Sequence, residues 1–298
     1  MPKITQNFAR ALRLPFITAS TLPFIFGSLI NRGNFNLLNF FLGLCCVAAT
    51  HLSANLINDY ADSQSGADWQ DRNFYKFFGG SKLIQEKVFS EKFYLKTAIF
   101  FAIFAAFCAI LLSIFLKSAF VVSLFAAIIL LSWLYSKKPL QFSYHRLGEM
   151  IIFALFGPIT VMGGYFIQSG IFPDLKSFLL SLPFAFLTAA ILFANEVPDL
   201  QEDKSVGKFT WVSIFGEEKA FILYAFIIFF AFFFIFLNLA FGYLKPIVFL
   251  SLIFVFPALK ACGILKKYPR DKLRLIESSK LTIALQTLVG IVLILGVL

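Results

Sequence analysis

Asn55-Leu56-Ile57-Asn58-Asp59-Tyr60-Ala61-Asp62, followed by Gly66 and Asp68, closes an apolar run that begins near residue 37. A run of that length crosses the hydrocarbon core of a bilayer as a helix. Carboxylates are costly at such a boundary and mark a site there. A second stretch, Asn195-Glu196-Val197-Pro198-Asp199-Leu200-Gln201-Glu202-Asp203, closes another apolar run in the same way. Asp59, Asp62, Asp68 and Asp71, with Glu196, Asp199, Glu202 and Asp203, make up half of the sixteen acidic residues of the chain. Two acidic clusters facing one space repel each other unless a cation lies between them, and hard divalent ions with oxygen ligands suit that position.

The rest of the 298 residues agrees with a membrane setting. The chain is 59% hydrophobic and 14% charged, too apolar for a soluble domain. Nine spans are predicted, near 14–31, 37–58, 95–115, 118–136, 147–169, 177–196, 219–238, 240–259 and 280–298, in a single domain over 1–298. No short apolar leader with a small-residue cleavage site precedes them, so the first span is expected to persist. Assigned to alternate loops, 22 of the 26 Lys and Arg residues fall on one side, and only Arg32, Lys117, Lys176 and Lys245 on the other. Positive residues collect on the cytoplasmic side, which accounts for the net charge of +10 without nucleic acid. Both acidic clusters then face the cytoplasm. Cys45, Cys46, Cys108 and Cys262 show no metal-ligand spacing and read as packing thiols.

Helical spacing groups the polar residues. At 100° per residue, His51, Asn55, Asn58 and Asp62 share a stripe roughly 60° wide, which must face protein or water rather than lipid. Asn195, Asp199 and Asp203 recur at every fourth position, with Pro198 expected to bend the helix between them. Lys208, in Gly207-Lys208-Phe209-Thr210, is read either as returning to the site or as a solvated loop charge. The loop from Asp59 to Lys92 carries Arg72, Lys76 and Gly79-Gly80-Ser81-Lys82, whose backbone N–H groups and Lys82 suit phosphate oxygens. Ser90 is a candidate helix cap. Lys137, Lys138 and Arg146 serve equally as topology charges, lipid contacts or site residues.

Taken together, these motifs resemble the UbiA superfamily of intramembrane prenyltransferases, and most closely its 1,4-dihydroxy-2-naphthoate polyprenyltransferase (menaquinone) branch. The resemblance rests on Asn55-x-x-Asn58-Asp59-x-x-Asp62-x-x-x-Gly66-x-Asp68, Gly79-Gly80-Ser81-Lys82, Leu147-Gly148-Glu149 with Phe156-Gly157-Pro158, and Asn195-x-x-x-Asp199-x-x-x-Asp203-x-x-x-Gly207-Lys208-x-Thr210. Three positions depart from the pattern: Gly66 replaces a third Asp, which moves to Asp68; Pro198 stands where Arg is common; and Lys82 stands where Arg is frequent.

The resemblance implies an all-α integral membrane fold, with nine helices around a central cavity and both Asp-rich motifs on the cytoplasmic side of a bacterial-type inner membrane. It implies Mg²⁺ held by Asn58, Asp62, Asp68, Asn195, Asp199 and Asp203, the four Asp being catalytic. Arg72, Lys82 and Lys208 are the implied diphosphate contacts, and Asn55, Arg13 and Lys138 the acceptor contacts. The implied reaction moves a polyprenyl group from its diphosphate to an aromatic acceptor, 1,4-dihydroxy-2-naphthoate or another such as 4-hydroxybenzoate. A cation-coupled transporter is the competing class, but its ions bind near the bilayer midplane, whereas these acids lie at helix ends.

Overall fold

The computed structural model describes residues 2–298, and among them it is built from helices without a named strand. The helices are α1 (Pro2–Ala11), α2 (Thr18–Leu29), α3 (Leu37–Ser65), the short α4 (Ala67–Gln70), α5 (Glu91–Leu116), α6 (Phe120–Leu134), α7 (Gly148–Ala154), α8 (Thr160–Ser169), α9 (Leu175–Ser205), the short α10 (Trp211–Phe215), α11 (Ala220–Ala240), α12 (Val255–Lys267) and α13 (Lys272–Val297). Side-chain caps set several starts: Asn36 accepts from Asn39 N–H before α3, Ser90 from Phe93 before α5, Asp174 from Ser177 before α9, and Asp271 from Arg274 before α13. Each satisfies a backbone donor that the first turn leaves free. Ser90 thus caps as its sequence position suggests.

Seven helical segments are long and apolar enough to cross a membrane, and an eighth is reached if the bent pair Ile4–Ala11 and Leu14–Leu29 counts as one. The fourth predicted span, 118–136, becomes α6, whose 15 residues reach about 22 Å at 1.5 Å per residue. That is shorter than a typical hydrocarbon core of roughly 30 Å. The eighth begins at Pro246 as a 3₁₀ helix rather than at 240, because Gly242 at φ +70° turns the chain after α11. The ninth starts at 272, not 280. Both acid-bearing helices run further than hydropathy alone indicates, so Asp59 and Asp62 lie on α3 and Asp199 and Asp203 on α9. Pro198 is carried inside α9 and does not end it.

Close packing needs small residues where helices cross, since no hydrophobic force draws them together in lipid. Gly27 of α2 is one such place, where an added Cβ would lie 2.0 Å from the Val161 carbonyl oxygen of α8. Gly157, in a π turn between α7 and α8, packs against Ala185 of α9 in the same way. The Thr160 hydroxyl donates to the Leu155 carbonyl there, beside the ladder position that Pro158 cannot fill. Of the 42 Phe residues, those such as Phe100 and Phe256 stand outward while Phe26, Phe184 and Phe193 fill the interior. α9 is the most buried of the long helices, which sets its polar end against everything else.

Candidate active site

One cavity of about 330 Å³ joins the two acidic helix ends. The polar stripe of α3 lines it, through His51, Asn55, Asn58 and Asp62, as does the stripe of α9, through Asn195, Asp199 and Asp203. Asp68, Lys82, Lys208 and Arg13 complete its polar end. Away from them the wall is apolar, with Val121, Phe125, Ile128, Phe166 and Ile167 among its residues. The two similar helix ends of the sequence thus meet at one cavity.

The Gly79–Lys82 loop ties the clusters together. Gly79 N–H donates to Asp199 Oδ2 at 2.9 Å, and Ser81 N–H to Asp59 Oδ2 at 3.2 Å. These donors, expected at phosphate, are engaged with carboxylates. Gly80 has φ +77°, and a Cβ there would meet Asp68 Oδ2 at 2.7 Å; only glycine admits that approach in that conformation. Lys82 is buried, with Nζ 2.9 Å from Asp68 Oδ1 and 3.0 Å from the Asp68 carbonyl. Lys208 turns back into the site and pairs with Asp203 at 3.2 Å, which settles the choice between site and solvent.

Arg13 also reaches the cavity but is paired with Asp59. Asn58 Nδ2 donates to Asp62 Oδ2 at 3.2 Å and to Ser136 Oγ at 2.7 Å. Asn55 donates to the Leu12 carbonyl at 3.2 Å.

Two of the expected contacts do not assemble. Arg72 is exposed over the Trp69 ring at 5.4 Å and lies outside the cavity lining, although its neighbours Asp71 and Tyr75 belong to it. Lys138 is exposed beyond α6 and lies outside it too. In their place the fold supplies residues that spacing did not single out. Tyr144 donates to Asp62 Oδ1 at 3.2 Å. Lys272, at the start of α13, donates to Asp71 Oδ2 at 2.8 Å and Glu202 Oε1 at 2.7 Å, clasping the long loop to α9 at the cavity mouth. Nothing local to residue 272 distinguishes it from the topology lysines around it.

The electrostatics favour a cation. Burial, and then the neighbouring Asp62 charge, push the Asp68 carboxyl up to about 7 despite Lys82. Burial disfavours the charge on Lys208, but Asp203 and Asp62 outweigh it and hold the ammonium well above its ordinary range. Burial also raises Asp71, yet hydrogen bonds from Lys272, Asn73 and Tyr75 bring it down to about 2. Asn195 Oδ1, Asp203 Oδ2 and Glu202 Oε2 are buried without a hydrogen-bond partner. These oxygens fit a hard divalent ion. No three acidic, His or Cys side chains among the described residues form a ready-made metal cage. These unpartnered oxygens all belong to α9, and Asp62 and Asp68 line the same cavity. That arrangement suits Mg²⁺, which is held by one or two carboxylates together with phosphate oxygens.

Residues 20–276 match the UbiA prenyltransferase family, and the chain belongs to that family. It is 26% identical over 228 residues to UbiA prenyltransferase domain-containing protein 1 of Xenopus tropicalis, a match spanning 75% of this chain and 64% of that protein. It is 27% identical over 214 residues to the 1,4-dihydroxy-2-naphthoate octaprenyltransferase of Bacillus subtilis, covering 70% of this chain and 66% of that one. The fold is shared with a UbiA homologue from Aeropyrum pernix K1, at TM-score 0.70 and 17% identity over 93% of this chain and 97% of the other. It is shared also with a UbiA homologue from Archaeoglobus fulgidus bound to GPP and Mg²⁺, at TM-score 0.59 and 14% identity over 97% and 99%. The chain is therefore a multi-pass integral membrane protein of the UbiA family.

Proposed function

We propose that this protein transfers a polyprenyl group from a polyprenyl diphosphate to an aromatic acceptor in a Mg²⁺-dependent reaction, the acceptor being 1,4-dihydroxy-2-naphthoate as in menaquinone biosynthesis. The observation that carries the reading is the meeting of two acidic helix ends at one cavity whose remaining wall is apolar. A diphosphate with an isoprenoid tail has that same division between charge and hydrocarbon. The Archaeoglobus structure with GPP and Mg²⁺ supports the donor and metal, and the Bacillus enzyme supports the acceptor. Residues 1–298 are proposed to form one domain of nine spanning helices, counting α6 and the bent pair at the N-terminus. The acidic mouth is proposed to face the cytoplasm from a bacterial-type inner membrane.

Asn58, Asp62 and Asp68 on one side, and Asn195, Asp199 and Asp203 on the other, would hold the metal. Bound there, Mg²⁺ neutralises phosphate charge and acts as Lewis acid and template for the leaving diphosphate. Lys82 and Lys208 add charge-assisted hydrogen bonds to the phosphate oxygens. The apolar wall takes the tail and keeps water from the allylic cation. Arg13 and Asn55 are proposed to orient the acceptor. Attack by the electron-rich ring forms the new carbon–carbon bond, and aromaticity returns with loss of a proton or of carbon dioxide.

The test is purified protein supplied with geranylgeranyl diphosphate, Mg²⁺ and equal concentrations of 1,4-dihydroxy-2-naphthoate and 4-hydroxybenzoate. Prenylated naphthoate is expected to dominate, the ratio of products giving the ratio of kcat/KM values. Preferential use of 4-hydroxybenzoate overturns the acceptor assignment, and absence of any prenylated aromatic product overturns the reaction.

A further inference from the structure

Resting on that functional reading, we infer that His51 is a further acceptor-contacting residue, which hydrogen-bonds through Nε2 to a ring hydroxyl of the aromatic substrate. His51 is 6% exposed and lines the cavity. Its Nδ1 is 2.7 Å from Ser20 Oγ, and its ring meets that of Phe156 edge-on at a centroid distance of 5.2 Å. These contacts hold the imidazole in one orientation and occupy Nδ1. Nε2 has no protein partner among the described residues. In either tautomer it retains one hydrogen bond to give or accept.

Position and chemistry select the occupant. His51 lies eleven residues before Asp62 on the same stripe of α3, so it stands roughly 16 Å along the helix from the acidic end. A metal-bound diphosphate at Asp62 and Asp199 does not extend that far, and an isoprenoid tail has no polar atom to offer. A tail laid against Nε2 would leave a buried polar atom unpaired, which is unfavourable. The group that belongs there is flat enough to lie beside Phe156 and carries a hydroxyl. A hydroxylated aromatic ring meets both demands, with Arg13 and Asn55 lining the same cavity.

The inference predicts a coupling between His51 and one hydroxyl that a packing role would not produce. Binding of 1,4-dihydroxy-2-naphthoate, 1-hydroxy-2-naphthoate and 4-hydroxy-2-naphthoate to full-length protein is followed by naphthalene fluorescence, for wild type, His51→Phe and His51→Gln. In wild type, loss of the contacted hydroxyl is expected to weaken binding about tenfold, the effect of one hydrogen bond in a desolvated site. In His51→Phe the dihydroxy acid and that monohydroxy analogue should bind equally well, and His51→Gln should restore part of the difference. Mg²⁺-dependent binding of geranylgeranyl diphosphate should stay within about twofold of wild type in both variants. If His51→Phe loses diphosphate binding through misfolding, His51→Gln carries the comparison.

Full discrimination between the acids in the folded variants overturns the role of His51. A different failure marks the underlying reading: wild type that binds prenyl diphosphate with Mg²⁺ but none of the three acids overturns the assignment of an aromatic acceptor, and the inference with it.

Discussion

Asp62 and Asp199, on α3 and α9, both line the cavity, so their carboxylates border open space rather than packed side chains. Replacing either by Ala should therefore leave the protein folded while abolishing turnover. Losing a ligand to a metal that stabilises leaving-group charge costs several kcal/mol of barrier, and each 1.36 kcal/mol is tenfold. Steady-state assays of the purified variants check this, and retention of more than roughly a tenth of the wild-type rate contradicts the metal role. Gly80 offers a finer probe. Its φ of +77° and the 2.7 Å approach of a notional Cβ to Asp68 mean that Gly80→Ala must displace the carboxylate or the loop. At least a tenfold loss of Mg²⁺-dependent activity is expected, with helical circular dichroism unchanged; wild-type activity would show that Asp68 need not hold its position.

At the level of elements, the glycines at helix crossings make opposite predictions within one structure. Gly27→Ala drives a methyl group into the Val161 carbonyl of α8, whereas nothing lies within 4 Å of a Cβ at Gly163 on that same helix. Overpacking of this kind costs about 1–3 kcal/mol. Thermal unfolding in detergent should show a lowered midpoint for Gly27→Ala and none for Gly163→Ala; equal midpoints would mean that α2 and α8 slide apart freely. The loop bearing Gly79–Lys82 carries a similar lesson. Its backbone donors were expected at phosphate, but here they hold Asp59 and Asp199, so the loop builds the acidic site as well as facing it.

For the whole molecule, the charge asymmetry is the broadest testable statement. In a cysteine-free background, Lys117→Cys and Lys245→Cys should react with an impermeant thiol reagent on intact cells, while Glu218→Cys should react only after permeabilisation. All three positions are exposed, so a reversed pattern would turn the protein over and place the acidic mouth outside. Much of this organisation was legible in the chain. Apolar runs interrupted by carboxylates at helical spacing determine an α-helical membrane protein with two acidic helix ends, because burial in lipid and the cost of unpaired charge act locally on each segment. Asn58, Asp62, Asn195, Asp199 and Asp203 were readable as residues that line one cavity for that reason.

What only the tertiary structure decided concerns residues whose role depends on partners far along the chain. Lys272 clasps Asp71 and Glu202 across 201 and 70 positions, Tyr144 reaches Asp62 across 82, and His51 is held by Ser20 on another helix. Arg72 and Lys138 carry the same charge as Lys82 and Lys208 yet point away from the cavity. Charge and spacing specify what a side chain can do, but which side chains share a space is set by how the helices pack, and that is a property of distant contacts rather than of any local pattern.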